Sequence, residues 1–197
     1  DMSGWTEIKG RAVALAQSNI DTDQLIPARF MSAPRTDGYG YFLLHDVRQD
    51  DANHILNRYT NVDVLVTRRN FGSGSSREAA VYALVDFGIK AVFAPSFGDI
   101  FRSNAVNNGL LPAQLPEADI EDLIAAIGDD DVGATVDLST STVRIAGQEL
   151  SFDLDPVWRK KLVNGWDDID LTSQHNDEIQ AFRAARFAAH PWALPTS

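Results

Sequence analysis

One continuous stretch decides the fold: residues 62–94 read VDVLVTRRNFGSGSSREAAVYALVDFGIKAVFA. Its first part, Val62–Thr67, is β-branched and apolar, which predicts a buried strand. A Gly/Ser loop follows, and then a helix is predicted over Arg77–Phe87. Its Ala, Val and Leu residues are spread over nearly the whole circumference of the helix, so we expect the helix to be buried. Gly88 ends the helix, and Ala91–Ala94 predicts a second strand. This βαβ unit implies parallel strands joined by a right-handed crossover.

The sequence before this unit predicts a strand, a short helix and a loop. Ile8–Ala16 has enough alternating apolar residues for a strand. Asn19–Phe30 predicts a turn that leads into a short helix, capped by Asp21 or Thr22. Ser32–Tyr41 contains Pro, Gly and polar residues, so we expect a loop with few means to pack. A loop of that length inside a compact domain is more often functional than idle.

Helices and strands alternate after the unit, and the apolar period changes to two residues after Gly128. A helix is predicted through residues 100–102, a strand at 110–111 and a second helix from residue 116. An antiparallel meander is predicted over 136–154. Two more helices are predicted, over 156–163 and over about 177–187. The fold class is therefore α/β, a partly parallel sheet with βαβ units and an appended small antiparallel β element. We expect one domain over residues 1–197, with a core over about 8–187 and an irregular tail over 188–197.

Composition excludes several classes of function. The 197 residues are 44% hydrophobic and 23% charged, as in an ordinary globular domain. No apolar run approaches the roughly 20 residues that span a bilayer, and no secretory signal opens the sequence. We therefore expect a cytoplasmic protein with no membrane partner. The 17 basic and 28 acidic residues give a net charge of −11, which disfavours nucleic acid as a partner.

The sequence contains no recognisable metal-binding motif. The chain has no cysteine, which excludes disulfides, a Cys nucleophile and an iron–sulfur cluster held by this chain. The four histidines show no metal-ligand spacing, so we expect no metal site.

The candidate functional segment is the loop Asn70–Glu78, NFGSGSSRE. It lies between a buried strand and a buried helix, at the sheet edge where open α/β proteins bind ligands. Gly72 and Gly74 allow the backbone to turn tightly and to approach a ligand. The N–H groups of the first helical turn would then point at an anion.

Three side chains of this loop carry the chemistry. Arg77 offers a planar fork for a carboxylate or phosphate, and Ser75 and Ser76 supply hydroxyls at the same mouth. The loop fits neither a Walker phosphate loop nor a dinucleotide fingerprint, because Arg77 stands where those patterns require other residues. The alternative is a Gly/Ser turn that merely starts a helix.

Three segments together resemble a known family. They are Asn19–Pro27 (NIDTDQLIP), Asn70–Glu78 (NFGSGSSRE) and Pro95–Phe101 (PSFGDIF). In order and spacing they are similar to the small subunit of bacterial 3-isopropylmalate dehydratase, the swivelling β/β/α domain of the aconitase superfamily. The resemblance extends from about residue 8 to about residue 187.

The resemblance implies a two-subunit hydro-lyase of leucine biosynthesis. The large subunit would be the partner and would hold a [4Fe-4S] cluster, and the small dicarboxylate 2-isopropylmalate would be dehydrated and rehydrated to 3-isopropylmalate. By position in the motif, Ser75 matches the serine that removes or returns a carbon-bound proton. Ser76 and Arg77 match residues that hold a substrate carboxylate. Ala79 stands where the family usually has histidine, so no role is carried over to it.

Other charged residues are weaker candidates. Asp21 and Asp23 either support the active-site loop or cap the short helix. In the family the loop over Pro27–Tyr39 helps to choose the substrate side chain, which makes Arg35 a candidate substrate contact; a solvated arginine is the alternative.

Two other functions fit the same residues. One is the small subunit of a homoaconitase or of a citraconate/methylmalate hydratase, which would differ mainly in residues 32–41. The other is a noncatalytic module that binds a phosphate or carboxylate at the serine loop.

Overall fold

The chain folds around one seven-stranded mixed sheet. The structure is a computed structural model and describes residues 3–189. The strand order across the sheet is β4-β3-β2-β1-β5-β6-β7. The strands are β1 (Glu7–Leu15), β2 (Val64–Thr67), β3 (Ala91–Ala94), β4 (Leu111–Gln114), β5 (Val132–Asp137), β6 (Thr142–Ile145) and β7 (Gln148–Ser151).

The two halves of the sheet differ in direction. Strands β1 to β4 are parallel, with Val13 of β1 opposite Leu65 and Leu65 opposite Val92. Strands β5 to β7 form an antiparallel meander that joins the other side of β1. The predicted α/β class with an appended antiparallel element is confirmed. Because the carboxyl ends of β1, β2 and β3 share one edge, the loops that follow these strands meet there.

Eight α-helices are found among residues 3–189, together with three single 3₁₀ turns between residues 28 and 42. The α-helices are α1 (Thr22–Leu25), α2 (His45–Asp50), α3 (Ile55–Arg58), α4 (Glu78–Phe87), α5 (Asp99–Asn107), α6 (Glu117–Ile127), α7 (Pro156–Asn164) and α8 (Asp168–Ala189).

The sheet separates two apolar cores. Alternate strand residues such as Val13, Leu65 and Val92 face a core built with α1, α3, α4 and α5. Their neighbours, such as Val66 and Phe93, face the second core, which includes side chains of α6 and α7. Strand β2 has apolar neighbours on both faces, which explains its continuous apolar sequence.

Residues 32–41 are better packed than the sequence predicts. Tyr39 is only 5% exposed, and its hydroxyl donates to the carbonyl of Ala33 at 2.6 Å. Phe30 stacks on Phe42 with ring centroids 4.5 Å apart, which encloses the segment between them. The expectation of few packing contacts fits the exposed residues of the loop, which are Ser32, residues 34–37 and Tyr41, but not Tyr39, which belongs to the first apolar core.

The last helix is also longer than predicted. It begins at Asp168, nine residues before the predicted start at Asp177. The Asp170 N–H donates to Asp167 Oδ1 at 2.9 Å and the Asp167 N–H donates to Asp170 Oδ2 at 3.1 Å, a reciprocal capping arrangement that starts the helix early. The predicted irregular tail is wrong for residues 188 and 189, which are helical; its remainder lies outside the described residues.

No helix within residues 3–189 combines the length and apolarity that crossing a membrane requires.

Candidate active site

The serine loop connects β2 to α4 and is fixed by two other segments of the chain. The Gly72 N–H donates to the Ile20 carbonyl at 2.8 Å, and the Thr22 N–H donates to the Ser73 carbonyl at 3.0 Å. On its other side, the Gly98 N–H donates to the Phe71 carbonyl at 2.9 Å. The three segments that carry the family resemblance therefore meet at the carboxyl edge of the sheet, and backbone hydrogen bonds set their relative positions.

The two glycines of the loop serve different needs. Gly72 has φ +73°, and a Cβ at this position would lie 2.3 Å from Phe101 Cγ. Phe101 is buried in the first apolar core, so moving its ring to make room for a Cβ would disrupt close packing. Gly74 has φ +91°, a conformation that L side chains rarely adopt, although the space around it is open. Glycine is therefore required at the first position by close approach and favoured at the second by backbone conformation.

Ser75, Ser76 and Arg77 lie around one cavity of about 250 Å³. Both serines are exposed to solvent, and Arg77 is partly buried. The lining residues are Thr22, Gly72, Gly74, Ser75, Ser76, Arg77, Gly98, Asp99, Ile100 and Phe101. The structure thus brings together the three residues to which the sequence analysis assigns chemistry.

Two helix N-termini border this cavity. Helix α4 begins after Arg77 and α5 begins after Gly98, and neither has a side-chain cap. First-turn N–H groups have no partner within the helix, so these ends favour a bound anion. Glu78 and Asp99 in the same first turns oppose this effect. In a chain of net charge −11, these two helix ends and Arg77 provide a local concentration of hydrogen-bond donors.

Arg77, which lines the cavity, forms an ion pair with Asp23. The Asp23 side chain is 62% exposed and that of Arg77 is 20% exposed. Because surface ion pairs contribute about 0–1 kcal/mol, this pair orients the guanidinium more than it stabilises the fold. For Asp23, the contact with Arg77 is the supporting role that the sequence analysis considered.

Asp21 caps helix α1. Its Oδ1 accepts the Gln24 N–H at 2.8 Å, and Gln24 Oε1 accepts the Asp21 N–H at 3.3 Å, which completes a capping box. Asp21 also forms an isolated parallel bridge with Ser73. It therefore reaches the serine loop through its backbone, while its side chain has the capping role.

Thr22 is a residue that sequence reasoning considered only as a helix cap. It is 3% exposed, and its Oγ1 donates to the Ser75 carbonyl at 2.8 Å. The local sequence around Thr22 does not indicate this contact, because the acceptor, the Ser75 carbonyl, lies 53 residues later in the chain.

Arg35 does not lie at the cavity. Its Nε and a terminal nitrogen donate to both Asp86 oxygens at 2.9 and 2.8 Å, and its guanidinium lies 3.8 Å from the centre of the Tyr82 ring. Asp86 is eight residues after Glu78, so the pair lies roughly 12 Å along α4 from the serine loop at 1.5 Å per residue. Arg35 would have to leave Asp86 in order to contact a substrate at the cavity. The substrate contact of Arg35 therefore stays a prediction.

The same pair affects a carboxyl group. Partial burial opposes the charged form of Asp86, but hydrogen bonds from Arg35 and from the Tyr39 N–H outweigh it, and the pKa of Asp86 is lowered. Asp86 therefore ties the loop over residues 32–41 to the end of α4.

The described part of the chain offers no metal ligands in a cluster. Among residues 3–189, no group of three or more His, Cys, Asp or Glu side chains converges on a point. With no cysteine anywhere in the sequence, the chain lacks the thiolates that hold an iron–sulfur cluster.

Comparisons with known proteins agree on one family. Residues 2–118 match the model of the aconitase C-terminal domain. The chain is 46% identical to the 3-isopropylmalate dehydratase small subunit of Acidothermus cellulolyticus, over 96% of this chain and 98% of the relative. It is 41% identical to the protein of that name from Rhodospirillum centenum, over 98% of this chain and 100% of the relative.

A solved structure extends the agreement to the fold. The crystal structure of 3-isopropylmalate dehydratase from Methanocaldococcus jannaschii superposes with a TM-score of 0.68 at 28% sequence identity. The match covers 90% of this chain and 99% of that one.

Proposed function

The chain belongs to the family of 3-isopropylmalate dehydratase small subunits, and we propose that it contributes to that enzyme a serine base and a carboxylate-binding loop. The enzyme is a hydro-lyase that acts as two subunits and isomerises 2-isopropylmalate to 3-isopropylmalate in leucine biosynthesis. The proposal concerns which atoms of this subunit act in the reaction.

The observation that carries the proposal is the grouping around the 250 Å³ cavity. One exposed serine, Ser75, stands beside a second hydroxyl, a guanidinium and two uncapped helix N-termini. This set can hold a carboxylate and can also lower the cost of a negative oxygen beside it.

Ser75 Oγ is the proposed proton carrier. A serine hydroxyl is a poor base in water, but nearby cationic and N–H donors favour its alkoxide. The alkoxide takes the carbon-bound proton, and the substrate hydroxyl leaves as water with a second proton that a donor on the large subunit would supply. In the rehydration step, the Ser75 hydroxyl returns a proton to carbon as water adds to the double bond.

Ser76, Arg77 and the first turn of α4 are the proposed carboxylate holders. The Arg77 fork can donate to two carboxylate oxygens, and its ion pair with Asp23 orients it beside the cavity. A substrate carboxylate would share or replace the Asp23 contact, which is exposed and therefore weak.

The proposed partner is the large subunit, and from the family to which this chain belongs we infer that the large subunit holds a [4Fe-4S] cluster. When bound there, the cluster supplies a Lewis acid for the substrate hydroxyl. The leucine pathway of the named relatives supports a cytoplasmic location.

The relatives' names favour isopropylmalate over the homoaconitase and citraconate/methylmalate alternatives. The same names argue against a noncatalytic anion-binding module.

Reconstitution tests the proposal. The purified chain alone should be colourless, hold no iron and have no dehydratase activity. Mixing it with the cognate large subunit should produce activity on 2-isopropylmalate, with citraconate assayed in parallel. Stoichiometric iron in the single chain, or no gain in activity when the assembled complex forms, would contradict it.

A further inference from the structure

Helix α8 is the longest helix among residues 3–189 and is largely exposed. It has 22 residues, about 33 Å of helix, and none of them is buried. Four large apolar side chains on it are exposed: Ile169 by 76%, Ile179 by 37%, Phe182 by 67% and Phe187 by 51%. Since helices in water gain most of their stability from packing an apolar face, this helix lacks the surface that would stabilise it.

The first turn of α8 is nevertheless firmly attached. Lys161 is 6% exposed, forms an ion pair with Asp168 and donates to Asn107 Oδ1 at 3.0 Å. Asn107 Nδ2 in turn donates to Asp168 Oδ2 at 3.1 Å. Hydrogen bonds from Lys161 and then from Asn107 lower the pKa of Asp168. The helix therefore projects from a fixed root at the ends of α5 and α7.

The root of α8 is continuous with the serine loop. Asn108, which follows Asn107, donates to Glu78 Oε1 at 3.0 Å, and Glu78 follows Arg77 in the chain. A large open cavity of about 870 Å³ lies here, between the start of α4 and the turn from α7 into α8. A second body that covers the serine loop would meet the root of α8 at this cavity.

The exposed face of α8 has the pattern of a docking helix. Leu171, His175, Ile179 and Phe182 follow one another at spacings of four, four and three, which places them along one stripe. On the opposite side lie small residues, including Ala181 and Ala184, which are also exposed. Such a stripe is the pattern that enters an apolar groove on a partner protein.

We propose that α8 is a docking arm whose stripe, defined as Leu171, His175, Ile179 and Phe182, inserts into an apolar groove on the large subunit. Arg183 and Arg186 lie beside the stripe, so the groove should present carboxylates to them. The inference rests on the proposed function, because the large subunit is the body expected to cover the serine loop. A second copy of this chain fits less well, since each copy carries −11 and like charges oppose pairing.

Two matched double variants of the full chain test the arm. The stripe variant is Ile179→Glu with Phe182→Glu, and the control is Ala181→Glu with Ala184→Glu on the opposite side. Both add two negative charges at a spacing of three residues, and glutamate keeps good helix propensity. Far-UV circular dichroism checks that each variant folds. Titration of the large subunit then gives the Kd by sedimentation and the kcat at saturation.

The stripe variant should raise the Kd for the large subunit at least 10-fold while its kcat at saturation stays within twofold of wild type. The control should match wild type in both. A stripe variant that binds as tightly as wild type overturns the inference. So does a result in which the stripe variant loses only self-association, which would identify a second copy as the occupant. If the wild-type chain itself does not bind the large subunit, the result contradicts the proposed function as well as the docking role of α8.

Discussion

The hydroxyl of Thr22 donates to the backbone carbonyl of Ser75 at 2.8 Å. The Thr22 N–H also donates to the Ser73 carbonyl at 3.0 Å, so one buried residue holds two points of the serine loop. Thr22 lies 53 residues before Ser75 in the sequence. Its contacts therefore fix the backbone position from which the Ser75 side chain extends.

Replacing Thr22 by valine should move the proposed base without removing it. The variant keeps the shape of threonine but loses the donor, so we expect kcat in the assembled enzyme to fall about 10-fold or more with KM little changed. The free energy of unfolding should fall by about 0.5–1.5 kcal/mol, the net contribution of one hydrogen bond. Thr22→Ser retains the hydroxyl and should restore most of kcat. Equal kcat for the valine variant and wild type would mean that the contact has no catalytic consequence.

Ser75→Ala should separate proton transfer from binding. It removes Oγ but leaves Arg77 and the N–H groups to hold substrate. We expect kcat to fall by about 10²–10⁴, the usual contribution of a positioned acid–base group, with little change in KM. Steady-state kinetics of the assembled complex, with thermal melting as the control for folding, measure this. If the variant folds, assembles and turns over near the wild-type rate, the loop serves only to bind the carboxylate.

Arg77→Lys should weaken substrate binding because it keeps the charge but loses the fork. The loss of one charge-assisted contact corresponds to about 1.5–3 kcal/mol in kcat/KM, or roughly 10- to 100-fold. Asp23→Asn is the matched comparison: it removes the partner that orients Arg77 but not the fork itself, so its effect should be smaller. An Asp23→Asn effect as large as that of Arg77→Lys would make the ion pair, rather than the fork, the essential feature.

The Arg35–Asp86 pair should make a pH-dependent contribution to stability. Because the pKa of Asp86 is lowered from its ordinary value of 3.8, the contribution is fully present above about pH 4 and is lost as pH falls through the lower folded-state value. Asp86→Asn should lower the free energy of unfolding at pH 7 by about 1–2 kcal/mol, reduced by partial exposure of Arg35. Urea unfolding between pH 7 and pH 3 should show the two proteins converging at the acid end.

Arg35→Gln provides the matching test of the loop arginine. If its role is the ion pair, it should cost about as much stability as Asp86→Asn, and the double variant should cost little more. The ratio of kcat/KM between 2-isopropylmalate and citraconate should then be unchanged. A changed ratio would show that Arg35 leaves Asp86 and contacts the substrate, which is the role that the family resemblance implies for this loop.

Local features of the sequence determined the βαβ unit. The β-branched run of β2, the glycines of the loop and the apolar helix ending at Gly88 each act through sterics and short-range hydrogen bonds, and the structure confirms them with shifts of one or two residues at the ends. The cap of α1 by Asp21 is equally local. The serine loop could therefore be recognised and placed at a sheet edge without a structure.

The tertiary structure decided which distant residues meet. Asp23 is 54 residues from Arg77, and Arg35 is 51 residues from Asp86, so neither partner could be chosen from local patterns. Both contacts follow from the parallel arrangement of β1 and β2, which brings the segments after these strands to one edge and carries α4 back along the sheet. The sequence by itself determined the elements and the chemistry of the loop, because these depend on neighbours in the chain. Only the folded chain assigned Thr22 to Ser75, Asp23 to Arg77 and Arg35 to the far end of α4, because those pairings depend on the path of the chain between them.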